Sequence, residues 1–149
     1  MDQGPSQGIY LTLVAACVLP VMLTVMVHAM GLGIIRRRLT HRIGGRAYDD
    51  HMFREAVIIS TTVVSLSLVH LTEILVWGIT YTALDAIGNL PDALYYSMAT
   101  YTTVGADGVS IKAAYRVVAG FESLIGPMMV AWSTAFLVEF VVRMRGKTA

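Results

Sequence analysis

Three long apolar runs organise the chain. The first, Ile9 to Ile35, is broken only by Thr12, Thr24 and His28, and it closes at Arg36-Arg37-Arg38. A membrane-crossing helix needs about 20 such residues, so this run is long enough. Pro20 lies inside it, where a kink is expected. Leu39 to Glu55 is polar and basic, and Gly44-Gly45 reads as a turn. The second run, Ala56 to Leu84, carries two ionisable residues, His70 and Glu73. A polar linker follows from Asp85 to Asp92. The stretch Pro91 to Ala99 then reads as a short amphipathic helix of about ten residues, too short to span. Pro91 suits its first turn and Asp92 its positive end. The third run, Ala113 to Val142, is closed by Arg143, Arg145 and Lys147. The pattern predicts an all-α membrane protein with three transmembrane helices. A short helix and an irregular segment, Thr100 to Gly108, lie between the second and third.

Composition agrees. Of 149 residues, 56% are hydrophobic and 14% charged, with mean hydropathy +0.65. Soluble domains carry about 25% charged residues. The net charge of +1 gives no case for nucleic-acid binding. The single Cys17 cannot form an intrachain disulfide. No His/Cys group has metal-site spacing in the sequence, and no nucleophile elbow or phosphate loop is present, so no enzyme is expected. The nine Met residues are scattered along apolar runs and read as packing. The N-terminal run lacks a basic leader and exceeds a secretion signal's apolar stretch of roughly 7–15 residues, so it is expected to be retained. Arg36, Arg37, Arg38, Arg42 and Arg46 follow the first run, and Arg143, Arg145 and Lys147 follow the third. Both clusters fall on one side of a three-pass chain. Basic residues favour the cytoplasmic side, so the N-terminus is expected outside and the C-terminus inside an inner (cell) membrane. The arginines after the first run are expected to contact anionic lipid.

The irregular segment reads Thr100-Tyr101-Thr102-Thr103-Val104-Gly105-Ala106-Asp107-Gly108. Non-helical backbone at membrane depth is tolerated where it lines a cavity or pore, and its carbonyls can replace an ion's hydration shell. Thr102-Thr103-Val104-Gly105, behind a short helix and between two spans, resembles the selectivity filter of the potassium-channel superfamily, which reads Thr-Val-Gly-Tyr-Gly-Asp. The resemblance runs from about Leu84 to Val142. The second run, with His70-x-x-Glu73-x-x-x-Trp77, looks like that of a group of small bacterial two-transmembrane ion channels with an added N-terminal helix. The resemblance implies units at 1–53, an N-terminal helix with a basic loop, and 54–149, a pore domain of outer helix, re-entrant pore helix, filter and inner helix. Tyr95 and Tyr96 fall where such pore helices carry aromatics that brace the filter. Arg116 falls near the start of the inner helix. Gly126, with Pro127 after it, falls where a hinge or gate glycine is expected. Ala106-Asp107-Gly108 depart from the pattern. Ala106 removes the usual tyrosine, and Asp107 stands where a glycine often needs left-handed backbone. Nonselective sodium–potassium relatives read Thr-Val-Gly-Asp-Gly, so Asp107-Gly108 is alternatively their pair after a one-residue insertion. Four Asp107 side chains would ring the outer mouth.

His70 and Glu73 share a helix face. They read as a hydrogen-bonded pair joining the outer helix to the pore helix, the alternative being a functional site by default for ionisable groups in a membrane. Glu122 reads as a filter-supporting acid, the alternative being a cavity-lining charge. A lone carboxylate in low dielectric must be neutralised or hydrogen-bonded. One chain supplies one filter strand, so a homotetramer is expected, passing K+ and other cations with weakened selectivity. The conducting residues would be Thr102, Thr103, Val104, Gly105, Ala106, Asp107 and Gly108. Thr103, Val104 and Gly105 would hold K+ or Na+ transiently, with no other cofactor. The alternative is a non-conducting sensor or assembly protein using the same fold.

Overall fold

The computed structural model describes residues 7–43 and 51–145. Four α-helices follow one another: α1 (Gln7–Ile43), α2 (His51–Ala83), α3 (Leu90–Tyr101) and α4 (Arg116–Arg145). A single 3-10 turn, Ala113–Tyr115, leads into α4. No strand occurs among the described residues. Three of the helices are long and apolar enough to cross a membrane, over Leu13–Leu39, Met52–Ala83 and Ala113–Met144. The protein is thus a multi-pass membrane protein with the expected number of spans.

Two helix boundaries correct the sequence reading. The helix α1 does not stop at Arg36-Arg37-Arg38 but runs on to Ile43. Arginine is a good helix former; the triplet ends the apolar run, not the hydrogen-bond ladder. The helix α2 likewise starts at His51, ahead of its apolar run. The expected turn at Gly44-Gly45 lies outside the described residues. Pro20 and Pro127 sit inside α1 and α4 as expected.

Packing forms two cores at opposite ends of the bundle. At one end Ala16 and Cys17 of α1 meet Trp77 and Tyr81 of α2, Ala93 and Tyr101 of α3, and Val118, Ala119 and Ile125 of α4. At the other end Leu32, Ile35 and Leu39 of α1 meet Ile58 and Leu66 of α2 and Met144 of α4. The early part of α1 therefore lies beside the late part of α2 and the early part of α4. That is the arrangement of three successive crossings. Only the first core includes α3.

The segment from α3 to α4 leaves and returns at that same end. Asn89 caps α3: its side chain accepts from the Asp92 backbone N–H at 2.9 Å, and its amide donates to the Asp92 carboxylate at 2.7 Å. Pro91 occupies the first turn and Asp92 the positive end, as the sequence predicts. On the return, the Lys112 N–H donates to the Ala86 carbonyl at 3.3 Å, and the Lys112 ammonium meets Asp85 at 2.5 Å. That exposed ion pair contributes little by itself; the backbone bond fixes the return.

Small residues set the closest approaches. Gly31 of α1 lies under Val69, and Gly78 of α2 lies under Leu94. The tightest is Gly126 of α4, where a methyl group would stand 2.3 Å from the Tyr101 carbonyl oxygen. That neighbour is backbone and cannot swing away. Gly126→Ala is therefore expected to force α4 off the end of α3. The expected loss is about 1–3 kcal/mol, the usual cost of overpacking, read as a lower midpoint in thermal unfolding of the detergent-solubilised protein.

Candidate functional site

The segment after α3 begins with four residues, Thr102 to Gly105, whose amides are used and whose carbonyls accept no backbone bond. Thr102 is the C-cap of α3, at φ −89° and ψ 2°. Its N–H returns to the Met98 carbonyl at 3.1 Å, and the Thr103 N–H returns to Thr100 at 3.0 Å. The N–H groups of Val104 and Gly105 both reach the Ala99 carbonyl, at 2.9 and 3.0 Å. The Thr102 hydroxyl also turns back, to Met98 at 2.7 Å. Among the described residues, no carbonyl from Thr102 to Gly108 accepts a backbone hydrogen bond. What remains is a row of acceptors without backbone partners.

Left-handed backbone makes this possible. Thr103 has φ 61°, Gly105 φ 84° and Gly108 φ 74°. Glycine takes such values freely. A β-branched residue does so at a cost of about 1–3 kcal/mol, and such strain gathers at functional segments. Asp107 is not in this region; this corrects the expectation that it replaces a glycine in left-handed backbone. Gly108 takes that conformation instead. Thr102, Thr103, Val104, Gly105 and Asp107 are exposed in the single chain, and Ala106 is half-buried. Val104 is 82% exposed, unusual for an aliphatic side chain between apolar helices.

Behind the segment, α3 is clamped by two acids. Glu122 of α4 is fully buried. It takes the Tyr81 hydroxyl of α2 and lies 2.5 Å from the Ser97 hydroxyl of α3. Ser97 also faces the Ile74 carbonyl at 3.0 Å. One hydroxyl proton cannot serve both acceptors, so the arrangement is complete when the carboxyl carries its own proton to Ser97. Glu122 is thus placed as a structural acid, on the body of α3 rather than on the loop. Glu73 of α2 is the second clamp, also fully buried. It takes the Tyr101 hydroxyl and faces His28 Nδ1 at 2.8 Å and His70 Nδ1 at 3.1 Å. The expected His70–Glu73 pair is present, and it joins α2 to α3 through Tyr101.

The other expected residues fall as follows. Tyr96 packs edge-to-face on Tyr81, with centroids 5.5 Å apart. Tyr95 is exposed on the single chain. Gly126 meets the last residue of α3, and Pro127 is exposed beside it. Sequence reasoning missed Tyr101, His28 and Ser133. Each sits in an apolar or threonine-rich context, and their partners lie 28, 45 and 105 residues away. His28 alone left a signal, an ionisable group inside a membrane-length run.

Residues 69–143, just over half of the chain, match the family described as ion channel. The chain belongs to that family, and it carries a pore domain of the potassium-channel superfamily. No curated protein and no solved structure matches it.

The Glu122 geometry makes a test. In Glu122→Gln the amide can donate to Ser97 while its oxygen accepts from Tyr81, so stability is expected to change little. Glu122→Ala leaves the Tyr81 hydroxyl without its acceptor, while Ser97 keeps the Ile74 carbonyl, at about 1–3 kcal/mol for a buried unsatisfied group. Thermal unfolding of the two purified variants, side by side, checks the difference.

Proposed function

We propose that four copies of this chain assemble around a common axis and conduct monovalent cations passively, K+ among them, with weakened selectivity. The observation that carries the reading is the acceptor-only stretch: the amides of Thr102 to Gly105 are bound to α3 and their carbonyls accept no backbone hydrogen bond. A single row of carbonyls cannot replace a hydration shell. Four rows can. In the assembly α3 is the re-entrant pore helix, with its negative end toward the ion. Thr103, Val104 and Gly105 carbonyls, and that of Ala106, coordinate the dehydrated cation.

Gly108 in left-handed backbone supports reading Asp107-Gly108 as the Asp-Gly pair of nonselective relatives. The Asp107 carboxylates then ring the outer mouth. They raise the local cation concentration and hold divalent ions. With no tyrosine at Ala106, the outer part of the filter has less to lock it. The hinge of α4 is Gly126-Pro127, packed directly against the end of α3. The basic cluster Arg36 to Arg38 faces the cytoplasmic leaflet of the cell membrane and its anionic lipids, with the N-terminus outside. No enzymatic activity is part of this reading.

Two measurements test it. The purified protein in mild detergent is expected to have the mass of a tetramer; a monodisperse monomer or dimer removes the pore. In planar bilayers, reversal potentials under opposed K+ and Na+ gradients are expected to stay near zero. Added Ca2+ is expected to block or permeate in the native protein, and much less in Asp107→Asn. A reversal potential at the K+ equilibrium value would refute the weakened selectivity.

A further inference from the structure

The interior of the bundle holds a polar ring that conduction does not use. His28 comes from α1, His70 and Glu73 from α2, Tyr101 from α3 and Ser133 from α4. His28 Nδ1 lies 2.8 Å from Glu73 Oε1, and His70 Nδ1 lies 3.1 Å from Glu73 Oε2 and 2.9 Å from the Tyr101 hydroxyl. The far nitrogens of both rings face one hydroxyl: His70 Nε2 is 3.0 Å and His28 Nε2 is 3.5 Å from Ser133 Oγ. His28 and Glu73 are fully buried, and His70 keeps 18% of its side chain exposed.

Protons alone complete this ring when Glu73 carries its own: the carboxyl donates to His28 Nδ1, His28 Nε2–H donates to Ser133, and Ser133 donates to His70 Nε2. With Glu73 ionised and both neutral imidazoles protonated on Nδ1, Ser133 has one proton for two bare Nε2 acceptors.

A divalent metal ion on the Nδ1 side completes the ring with Glu73 ionised. It takes the two Nδ1 lone pairs and a carboxylate oxygen, and each imidazole then carries its proton on Nε2. Ser133 Oγ has two lone pairs and accepts from both. Metal-bound histidines characteristically donate their other N–H to such an acceptor. The ligand atoms of His28, His70 and Glu73 all lie within 4.8 Å of one another. Tetrahedral zinc, with bonds of about 2.0–2.1 Å, separates its ligands by about 3.4 Å, so the 2.8 Å His28–Glu73 and 3.1 Å His70–Glu73 contacts need to open by about 0.6 and 0.3 Å. The Tyr101 hydroxyl, 2.9 Å from His70 Nδ1, is within reach as a further ligand. Two imidazoles, a carboxylate and no thiolate suit Zn2+ and its first-row neighbours, not Ca2+ or Cu+. Half-buried His70 is the route of access.

We propose that His28, His70 and Glu73 form a binding site for Zn2+ or a like transition-metal ion, pinning α1 to α2 beside Tyr101, the residue before the Thr102–Gly108 segment. The site is read by binding, without ion flux, so it stands or falls apart from the conduction reading. The test uses the full chain carrying Asp107→Asn, which removes the mouth carboxylate as a competing site. The protein is stripped of metal and titrated with Zn2+ near neutral pH. One Zn2+ per chain is expected, at micromolar affinity or tighter, with a raised unfolding temperature. Co2+ in its place should give the visible spectrum of a four-coordinate ion. His28→Gln and His70→Gln are each expected to weaken binding by more than about 100-fold, and Ser133→Ala by about 10–100-fold, the usual effect of losing an outer partner. If a histidine variant does not fold, the Ser133→Ala result decides. A folded parent that binds no Zn2+, or binding unchanged in the histidine and serine variants, overturns the proposal. A stability that responds to acid but not to Zn2+ assigns the missing member of the ring to a proton instead.

Discussion

Glu73 is a carboxyl group with no exposed surface, set among helices that face hydrocarbon. An isolated charge there is not sustainable, so its neighbours must supply hydrogen bonds from every side. They come from α1 through His28, from α2 through His70 and from α3 through Tyr101. No other residue joins those three elements through side-chain hydrogen bonds among the described residues. Helix association in a membrane has no hydrophobic drive between the helices, so directional contacts of this kind decide which faces meet. The Trp77 indole repeats the device nearby, donating to Thr24 of α1 at 3.0 Å.

The two buried acids divide the work of holding α3. Glu122 holds its middle through Ser97, against α2 and α4. Glu73 holds its end through Tyr101. The close approach of Gly126 to the Tyr101 carbonyl completes the grip from the third side. The end of α3 therefore has its side chain and its backbone fixed by different helices. The next residues are those whose amides fold back on Met98, Ala99 and Thr100. Strain such as that of left-handed Thr103 persists only where the surroundings over-determine it, and this is such a place.

Much of this architecture is legible in the sequence because it rests on local rules. Spans follow from run length, the start of α3 from Pro91 and Asp92, and the segment after it from Thr-Val-Gly in its setting. The apolar runs stop short of the C-terminal end of α1 and the start of α2 because loss of hydrophobicity is not loss of helix, and arginine supports a helix in water. The polar ring was illegible for a different reason. His28, His70, Tyr101 and Ser133 belong to four elements, and no spacing within the chain brings them together. Only helix packing does. Asp107 was misjudged because the neighbouring Gly108 can take the demanding conformation, and the sequence does not say which of two adjacent residues will.

The single chain is unfinished at one place. Its interior is satisfied: among the described residues no buried side-chain polar atom lacks a partner. Yet the stretch from Thr102 to Gly105 presents free carbonyls and an 82% exposed valine on the surface of an apolar bundle. Lipid can satisfy neither water-starved carbonyls nor a loop without a hydrogen-bond ladder. The amides cannot turn to help, because α3 already holds them. In the proposed assembly the other acceptor rows come from more copies of the same chain, with a cation between them. On that reading the polar ring and the Glu122 clamp share one purpose. They hold the end of α3, and with it the Thr102–Gly105 stretch, in shape for the other copies and the ion.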